Sequence, residues 1–170
     1  MYKIGRSNIY FILAVALFLH LTILHHASIF TATPDLMLAC VIFFALFLGP
    51  GAGLESGLAA GLMKDLFALD FFGINMFVYG VIGLLAGSLS AKLSKESKRI
   101  RAIVVFVLTA LSMSLHYLLV SIFTQSLGIR FTEYLARSVI PVSLYTAAVS
   151  IPIFMKFVDM YGLRGSEEYL

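Results

Sequence analysis

The stretch AIVVFVLTALSMSLHYLLVSIF, from Ala102 to Phe123, contains no aspartate, glutamate, lysine or arginine. It is about as long as the roughly 20 residues that a helix needs to cross a bilayer. Two similar runs cover 8–27 and 139–157, and in the second the one charged residue is Lys156. Because lipid offers the backbone no hydrogen-bond partners, long runs without alternating polarity indicate membrane helices rather than barrel strands.

The composition is that of a membrane protein. Hydrophobic residues account for 61% of the 170 residues and charged residues for 12%, against about 45–50% and about 25% in soluble domains. The sequence therefore predicts an all-α integral membrane bundle, a single domain over 1–170 with no room for a soluble catalytic domain. Cys40 is the single cysteine, so no intrachain disulfide can form.

The apolar runs and the turn residues between them divide the chain into six predicted spans. Thr33 is expected to cap the second span and Pro34 to occupy its first helical position, and Gly49, Pro50 and Gly51 predict a tight reversal. The first run is longer than the apolar region of a signal peptide and lacks a cleavage site, so it is expected to be retained. The predicted spans are 8–27, 34–48, 52–69, 73–91, 100–124 and 138–158.

Basic residues orient these spans. With a cytoplasmic N-terminus, nine of the 12 lysines and arginines fall on the cytoplasmic side, and Lys64, Arg130 and Arg137 fall on the outer side. This bias agrees with the positive-inside rule and predicts that both termini are cytoplasmic. The cytoplasmic residues are Lys3, Arg6, Lys92, Lys95, Lys98, Arg99, Arg101, Lys156 and Arg164.

Residues 125–137 form the main outer connection. Phe131, Tyr134 and Leu135 fall on one helical face, and Glu133 and Arg137 form an i,i+4 pair on another. We expect a short helix lying in the outer interface, with an outward extension of the sixth span as the alternative.

Glycines recur at four-residue spacing in the third and fourth spans. Gly53, Gly57 and Gly61 lie on the third span, and Gly83 and Gly87 lie on the fourth. Each step of four residues moves only about 40° around a helix, so each set forms a narrow stripe that lets another backbone approach closely. We expect the two stripes to pack on each other, with docking of a partner helix on one of them as the alternative.

Four charged residues fall inside spans or at their ends, where charge is expensive: Asp35, Glu55, Lys64 and Asp65. Lys64 and Asp65 are about 100° apart on a helix and cannot point in one direction. Asp65 therefore requires a partner from another span or a water-filled cavity, whereas Lys64 is close enough to the end of its span to extend outward. We interpret the four residues as buried polar anchors, with a pocket or a partner contact as the alternative.

The sequence offers no catalytic or metal-binding pattern. His25 and His26 are adjacent, and no carboxylate or thiol accompanies the histidines at ligand spacing. The segment 53–57 is similar to intramembrane serine proteases, but Glu55 stands where those enzymes need glycine, and the sequence shows no evident pattern that would orient His116 as a base. A protein that is not an enzyme and uses no metal or cofactor is predicted.

Several motifs in residues 34–91 resemble those of the MreD family of rod shape-determining proteins. They are Pro34-Asp35-Leu36, Gly49-Pro50, Gly53-x3-Gly57-x3-Gly61-Leu62-x2-Asp65 and Gly73. The length, the six predicted spans and the basic segment between the fourth and fifth spans are also similar to that family. Lys64 departs from the family pattern, which has an apolar residue at that position.

The resemblance implies a non-enzymatic subunit of the bacterial cell-elongation machinery in the inner membrane. Members associate with the single-span protein MreC and, indirectly, with MreB filaments, the glycosyltransferase RodA and a class-B penicillin-binding transpeptidase. No nucleic-acid partner is expected, and a homodimer is left open. Anionic lipid headgroups are the expected contact of the basic segment, with a specific protein contact as the alternative; its residues are Lys92, Lys95, Lys98, Arg99 and Arg101.

The resemblance also implies an alternative function, because the family is thought to share its fold with the S components of energy-coupling-factor vitamin transporters. An S-component-like subunit would capture a small vitamin-type substrate from the outer side. That function requires an outward pocket with convergent polar groups. The candidates for its wall are Asp65, Asn75, His116, Gln125 and Arg130.

Overall fold

The structure, a computed structural model, describes residues 5–22, 33–68, 71–93, 98–124 and 130–160, without the side chains of 91–99 and 159–160. Within these residues it contains helices and no strand. A π-helical turn, Leu135–Val139, joins the sixth helix to the seventh. The helices are α1 (Arg6–Thr22), α2 (Leu36–Leu48), α3 (Pro50–Asp65), α4 (Ile74–Leu93), α5 (Lys98–Thr124), α6 (Phe131–Tyr134) and α7 (Ile140–Met160).

The helices differ in length. Two stretches, Ile100–Thr124 and Phe131–Val158, are long and apolar enough to cross a membrane by length and composition, and Arg6–Thr22, Leu36–Leu48 and Ile74–Ser90 are shorter apolar stretches. α2 has 13 residues, which gives about 20 Å at 1.5 Å per residue. That length is less than the roughly 30 Å of a hydrocarbon core.

α2 is the central helix. Residues 37–45 are all buried, and α2 contacts α1, α3, α4, α5 and α7. Its sequence is apolar on every side, as is typical of a helix that buries all its faces. The Phe43 ring lies 4.6 Å from that of Phe47 and 5.1 Å from those of Phe154 and Phe157 on α7. α2 therefore holds the bundle together from within.

One residue, Gly49, separates α2 from α3. Its φ is +91°, a left-handed conformation that residues with a β-carbon disfavour. The Gly49 N–H donates to the Ala45 carbonyl at 2.9 Å, and Pro50 begins α3, where its missing N–H leaves no helical hydrogen bond unmade. α3 thus begins at Pro50 rather than after the predicted reversal at 49–51.

The N-cap of α2 is Asp35. Its Oδ1 accepts a hydrogen bond from the Leu38 N–H at 3.1 Å, and the helix begins at Leu36. The expectation that Thr33 caps this helix and that Pro34 is its first residue is therefore wrong. The carboxylate satisfies an N–H three residues ahead, which sets the start of the helix directly after Asp35.

α6 continues into α7 without a break. In the π-helical turn the Ile140 N–H donates to the Leu135 carbonyl, and Pro141, which has no N–H to donate, follows directly. A wider turn next to a proline accommodates its ring and the missing hydrogen bond. Because Phe131–Val158 is one continuous helix, the expectation of a separate interfacial helix is wrong. Residues 125–129 of that connection lie outside the described residues.

Candidate functional site

α3 and α4 form the most extensive helix pair in the described bundle, and they approach through the glycine stripes. A β-carbon added at Gly53 would lie 2.9 Å from the carbonyl carbon of Gly83, and one added at Gly57 would lie 2.7 Å from that of Tyr79. Real β-carbons essentially never approach so closely. The same close approach pairs Gly61 with Asn75 and Gly87 with Pro50. The stripes therefore face each other within the chain.

Asp65 is 3% exposed and accepts four hydrogen bonds from the start of α4. Its Oδ1 accepts from the backbone N–H of Asn75 at 3.1 Å and from Asn75 Nδ2 at 2.8 Å. Its Oδ2 accepts from the backbone N–H groups of Gly73 at 3.0 Å and Met76 at 2.9 Å. The first N–H groups of a helix have no intrahelical acceptor, and a negative charge there is favourable. Asp65 is thus an N-terminal cap of α4 that α3 supplies.

Lys64 contacts different partners from those of Asp65. Its Nζ lies 2.7 Å from Asp35 Oδ2 and 2.6 Å from the Tyr79 hydroxyl oxygen, and the Tyr79 hydroxyl donates to the same Asp35 oxygen. The Asp35 N–H donates to Thr146 Oγ1 of α7 at 3.0 Å. Lys64, expected to extend outward, instead forms with Asp35 and Tyr79 a polar cluster that joins α2, α3 and α4.

A cavity of about 340 Å³ lies beside this polar cluster. α2 begins only at Leu36 and α3 ends at Asp65, whereas α5 and the α6–α7 helix are longer, so the short helices leave space at this end of the bundle. Every helix except α2 contributes to the wall, and α2 is represented by its N-cap, Asp35. The wall also includes the rings of Tyr79 and Tyr134 and the apolar residues Ala68, Val78, Met113 and Val142, and its polar side chains are those of His20, Thr33, Asp35, Lys64, Asn75, Ser112 and His116.

The pocket candidates named from the sequence lie at different positions relative to the cavity. Asn75 and His116 line the cavity, Asp65 caps α4 next to it, and Arg130 is exposed at the start of α6. Gln125 lies outside the described residues. Tyr79 and Ser112 also line the cavity but were not among the candidates from the sequence. Each lies four residues from a candidate, Tyr79 from Asn75 and Ser112 from His116, and this i,i+4 spacing is the signal that would have found them.

Glu55 lies at the opposite end of the bundle. Its Oε1 accepts a hydrogen bond from the Tyr10 hydroxyl at 2.6 Å and lies 3.5 Å from Arg6 Nε. The Arg6 side chain is 81% exposed, so the ion pair contributes little to stability. Glu55 therefore joins α1 to α3 and takes no part in the cavity.

Most of the remaining site residues predicted from the sequence lie where the structure describes no side chain. The side chains of Lys92, Lys95, Lys98 and Arg99 lie outside the description, so their contact with lipid headgroups stays a prediction. His25 and His26 also lie outside it. Among the described residues, no group of three or more histidine, cysteine, aspartate or glutamate side chains is arranged to hold a metal ion. The hydroxyl of Ser56 donates to the Gly53 carbonyl at 3.2 Å.

Replacing Lys64 by methionine is expected to destabilise the protein more than replacing Lys64 and Asp35 together. Methionine leaves the partly buried Asp35 carboxylate without its cation, at a cost of about 2 kcal/mol. The double variant Lys64→Met, Asp35→Asn removes both charges and is expected to recover at least part of the loss. Thermal unfolding in detergent, monitored by maleimide labelling of the buried Cys40 thiol, measures the loss of stability in both variants. Strictly additive losses would contradict the pairing.

Comparison with known proteins identifies the family of the chain. Residues 1–162 match the family profile described as rod shape-determining protein MreD. Neither a comparison with curated proteins nor one with solved structures gives a match. The family match covers nearly all of the 170 residues, including every described helix. The chain therefore belongs to the MreD family of rod shape-determining membrane proteins.

Proposed function

We propose that this chain crosses the bacterial inner membrane six times, with both termini in the cytoplasm, as a non-enzymatic scaffold of the cell-elongation complex. It binds the single-span protein MreC and helps to couple cytoplasmic MreB filaments to peptidoglycan synthesis by RodA and the class-B transpeptidase. The observation that carries the proposal is the match to the MreD profile over residues 1–162.

The arrangement of the helices is compatible with six spans, namely α1 to α5 and α7. α2 is too short to cross a bilayer unaided, but its buried faces meet protein rather than lipid. The helices that surround it expose large apolar side chains, among them Phe18 on α1, Val107 on α5 and Leu144 on α7. Such a surface suits lipid and the span of a partner protein.

The docking face for MreC is expected on the exposed sides of α1, α4, α5 or α7. The glycine stripes are unsuited to it because a backbone of the same chain already occupies them. A loss of MreC binding after substitution of Gly57 would therefore report a damaged fold rather than a lost docking contact. Substitutions on the exposed faces avoid that ambiguity.

Photocrosslinking in membranes tests the proposal. A photoreactive amino acid is placed singly at Phe18, Phe77, Val107 and Leu144, one exposed position each on α1, α4, α5 and α7, in cells that co-express MreC. We expect MreC to co-purify with the full chain and to crosslink from one position or from two neighbouring helices. The control is Phe43, which is fully buried on α2 and is expected to give no crosslink.

Two outcomes would contradict the scaffold proposal. One is a chain that folds, as judged by size-exclusion chromatography, but retains no MreC and crosslinks to it from no exposed position. The other is equal crosslinking from all four helices, which indicates random collision in the membrane rather than a docking face.

A further inference from the structure

We propose that the cavity at the Asp35 end of the bundle is a binding site for a small molecule that carries a flat ring and no net charge. The site is distinct from the scaffold role and requires no partner protein. It is carried by the chemistry of the cavity wall, its charge balance and its size.

The cavity wall is more polar than packing within a membrane bundle requires. Polar side chains inside a bundle are expensive and mark functional sites, yet Ser112 and His116 of α5 and Asn75 of α4 face this space together with the polar cluster. In addition, the ring nitrogen Nδ1 of His20 is buried and has no hydrogen-bond partner among the described residues. Buried polar atoms are rarely left unpaired, so a guest molecule with a hydrogen-bonding group accounts for the His20 nitrogen better than an empty gap does.

The charges on the described part of the cavity wall cancel. Among the described residues, the charged side chains of the wall are Asp35 and Lys64, which form an ion pair with each other. Asp65, behind the wall, is already satisfied by four N–H donors. A guest with a net charge would incur a desolvation penalty, because it would leave water without meeting an unpaired charge of the opposite sign on the described wall. A neutral or zwitterionic guest avoids that penalty.

The polar cluster retains hydrogen-bonding capacity. The Lys64 ammonium has three N–H donors, and within the described part of the chain it uses two of them, on Asp35 and Tyr79. The third is available to an acceptor in the cavity. A guest can therefore bind to the ion pair without breaking it.

The volume and the aromatic rings define the kind of guest. A volume of about 340 Å³ lies at the lower end of the roughly 300–1,000 Å³ typical of ligand sites. The Tyr134 ring stacks on that of Tyr117 with centroids 4.7 Å apart and an interplanar angle of 28°, which fixes one aromatic side of the cavity. The Tyr79 ring also lines the cavity, where the Lys64 Nζ lies 5.1 Å from its centroid. Flat rings pack well on such aromatic surfaces.

Thermal unfolding of the full chain in detergent, reported by labelling of the buried Cys40 thiol, tests the proposal. Four probes of comparable size are added at millimolar concentration: zwitterionic tryptophan, neutral pyridoxine, anionic biotin and cationic thiamine. Tryptophan, pyridoxine or both are expected to raise the Tm by about 3–5 °C, because a ligand that binds the native state alone stabilises it. Biotin and thiamine are expected to leave the Tm unchanged.

Matched variants of α5 establish where a probe binds. Ser112→Phe fills the cavity and is expected to abolish the shift, whereas Leu111→Phe, at an exposed neighbour, is expected to retain it. Val142→Phe narrows the same cavity from α7 and serves if Ser112→Phe does not fold. The proposal is overturned if neither uncharged probe shifts the wild-type Tm, if charged probes shift it equally, or if the shift survives in a folded cavity-filling variant. None of these results depends on MreC.

Discussion

Replacing Gly57 by leucine is expected to prevent α3 from packing on α4 and to abolish the accumulation of folded protein. A β-carbon alone would lie 2.7 Å from the Tyr79 carbonyl carbon and 3.0 Å from the Gly80 Cα. These are backbone atoms, so they cannot rotate away, and the helices would have to separate along their whole contact. The expected loss exceeds about 4 kcal/mol, which is exceptional for a single substitution. Size-exclusion chromatography and Cys40 labelling measure the folded fraction.

Gly51 is the matched control for Gly57. It lies in the same helix, and an added β-carbon there meets nothing within 4 Å. Gly51→Leu is expected to leave the folded fraction unchanged, because leucine favours a helix over glycine by up to about 1 kcal/mol. Gly57→Ala should fall between the two leucine variants. If Gly57→Leu and Gly51→Leu gave equal amounts of folded protein, the close approach of α3 and α4 would be disproved.

Local patterns carry much of what the sequence reveals about the fold. An uncharged run around α5 is helical for reasons that lie within the run, and the helix found there is Lys98–Thr124 where 100–124 was expected. The glycine spacing is likewise visible in the chain, and those glycines lie against α4 in the structure. Where a boundary depends on the exact geometry of a cap or a proline, as at Asp35 and Pro141, reasoning from the sequence placed it incorrectly.

The polar cluster could not be predicted in the same way. Lys64 and Asp35 are 29 residues apart, and their pairing depends on the rotation of α2 and α3 about their axes. Because α2 is apolar on every side, its sequence does not indicate which face it turns toward α3. The hydroxyl of Tyr79 bridges Lys64 and Asp35, but tyrosine is uncharged, so no charge inside a span marks this residue in the sequence. The cavity depends on the relative lengths of α2, α3 and α5 and is a property of the assembled bundle.

The sequence indicates the cap of α4 more clearly than it indicates the polar cluster. α4 has no acidic residue in its first turn, and the residue before it is Gly73, which has no side chain to accept a hydrogen bond. The first N–H groups of the helix therefore need an acceptor from elsewhere. Asp65 ends the preceding helix eight residues earlier, so a short link can return its carboxylate to that position.

Replacing Asp65 by asparagine is expected to be the most damaging change of a single charged group at this end of the bundle. The side-chain volume is kept, but one carboxylate oxygen becomes an NH₂ group, which faces N–H donors and cannot accept from them. Two of the four hydrogen bonds are lost and two buried donors are left unpaired, at a cost of about 3–4 kcal/mol. The expected result is a large fall in the Tm measured by Cys40 labelling, together with earlier hydrogen exchange at Gly73 and Met76 if the NH₂ group takes the Oδ2 position, or at Asn75 if it takes the Oδ1 position.

Glu133→Gln is the control for Asp65→Asn, because it makes the same chemical change on an exposed carboxylate. Glu133 pairs with Arg137 at 3.0 Å across one turn, and its side chain is 44% exposed, so the loss is expected to be at most about 0.5 kcal/mol. A similar small loss for Asp65→Asn would mean that the start of α4 finds other acceptors and that Asp65 is not its cap. A large loss without early exchange at Gly73, Asn75 or Met76 would place the damage elsewhere in α3. Only the combination of a large loss and local opening of the first turn identifies the carboxylate as the group that holds α4 against α3.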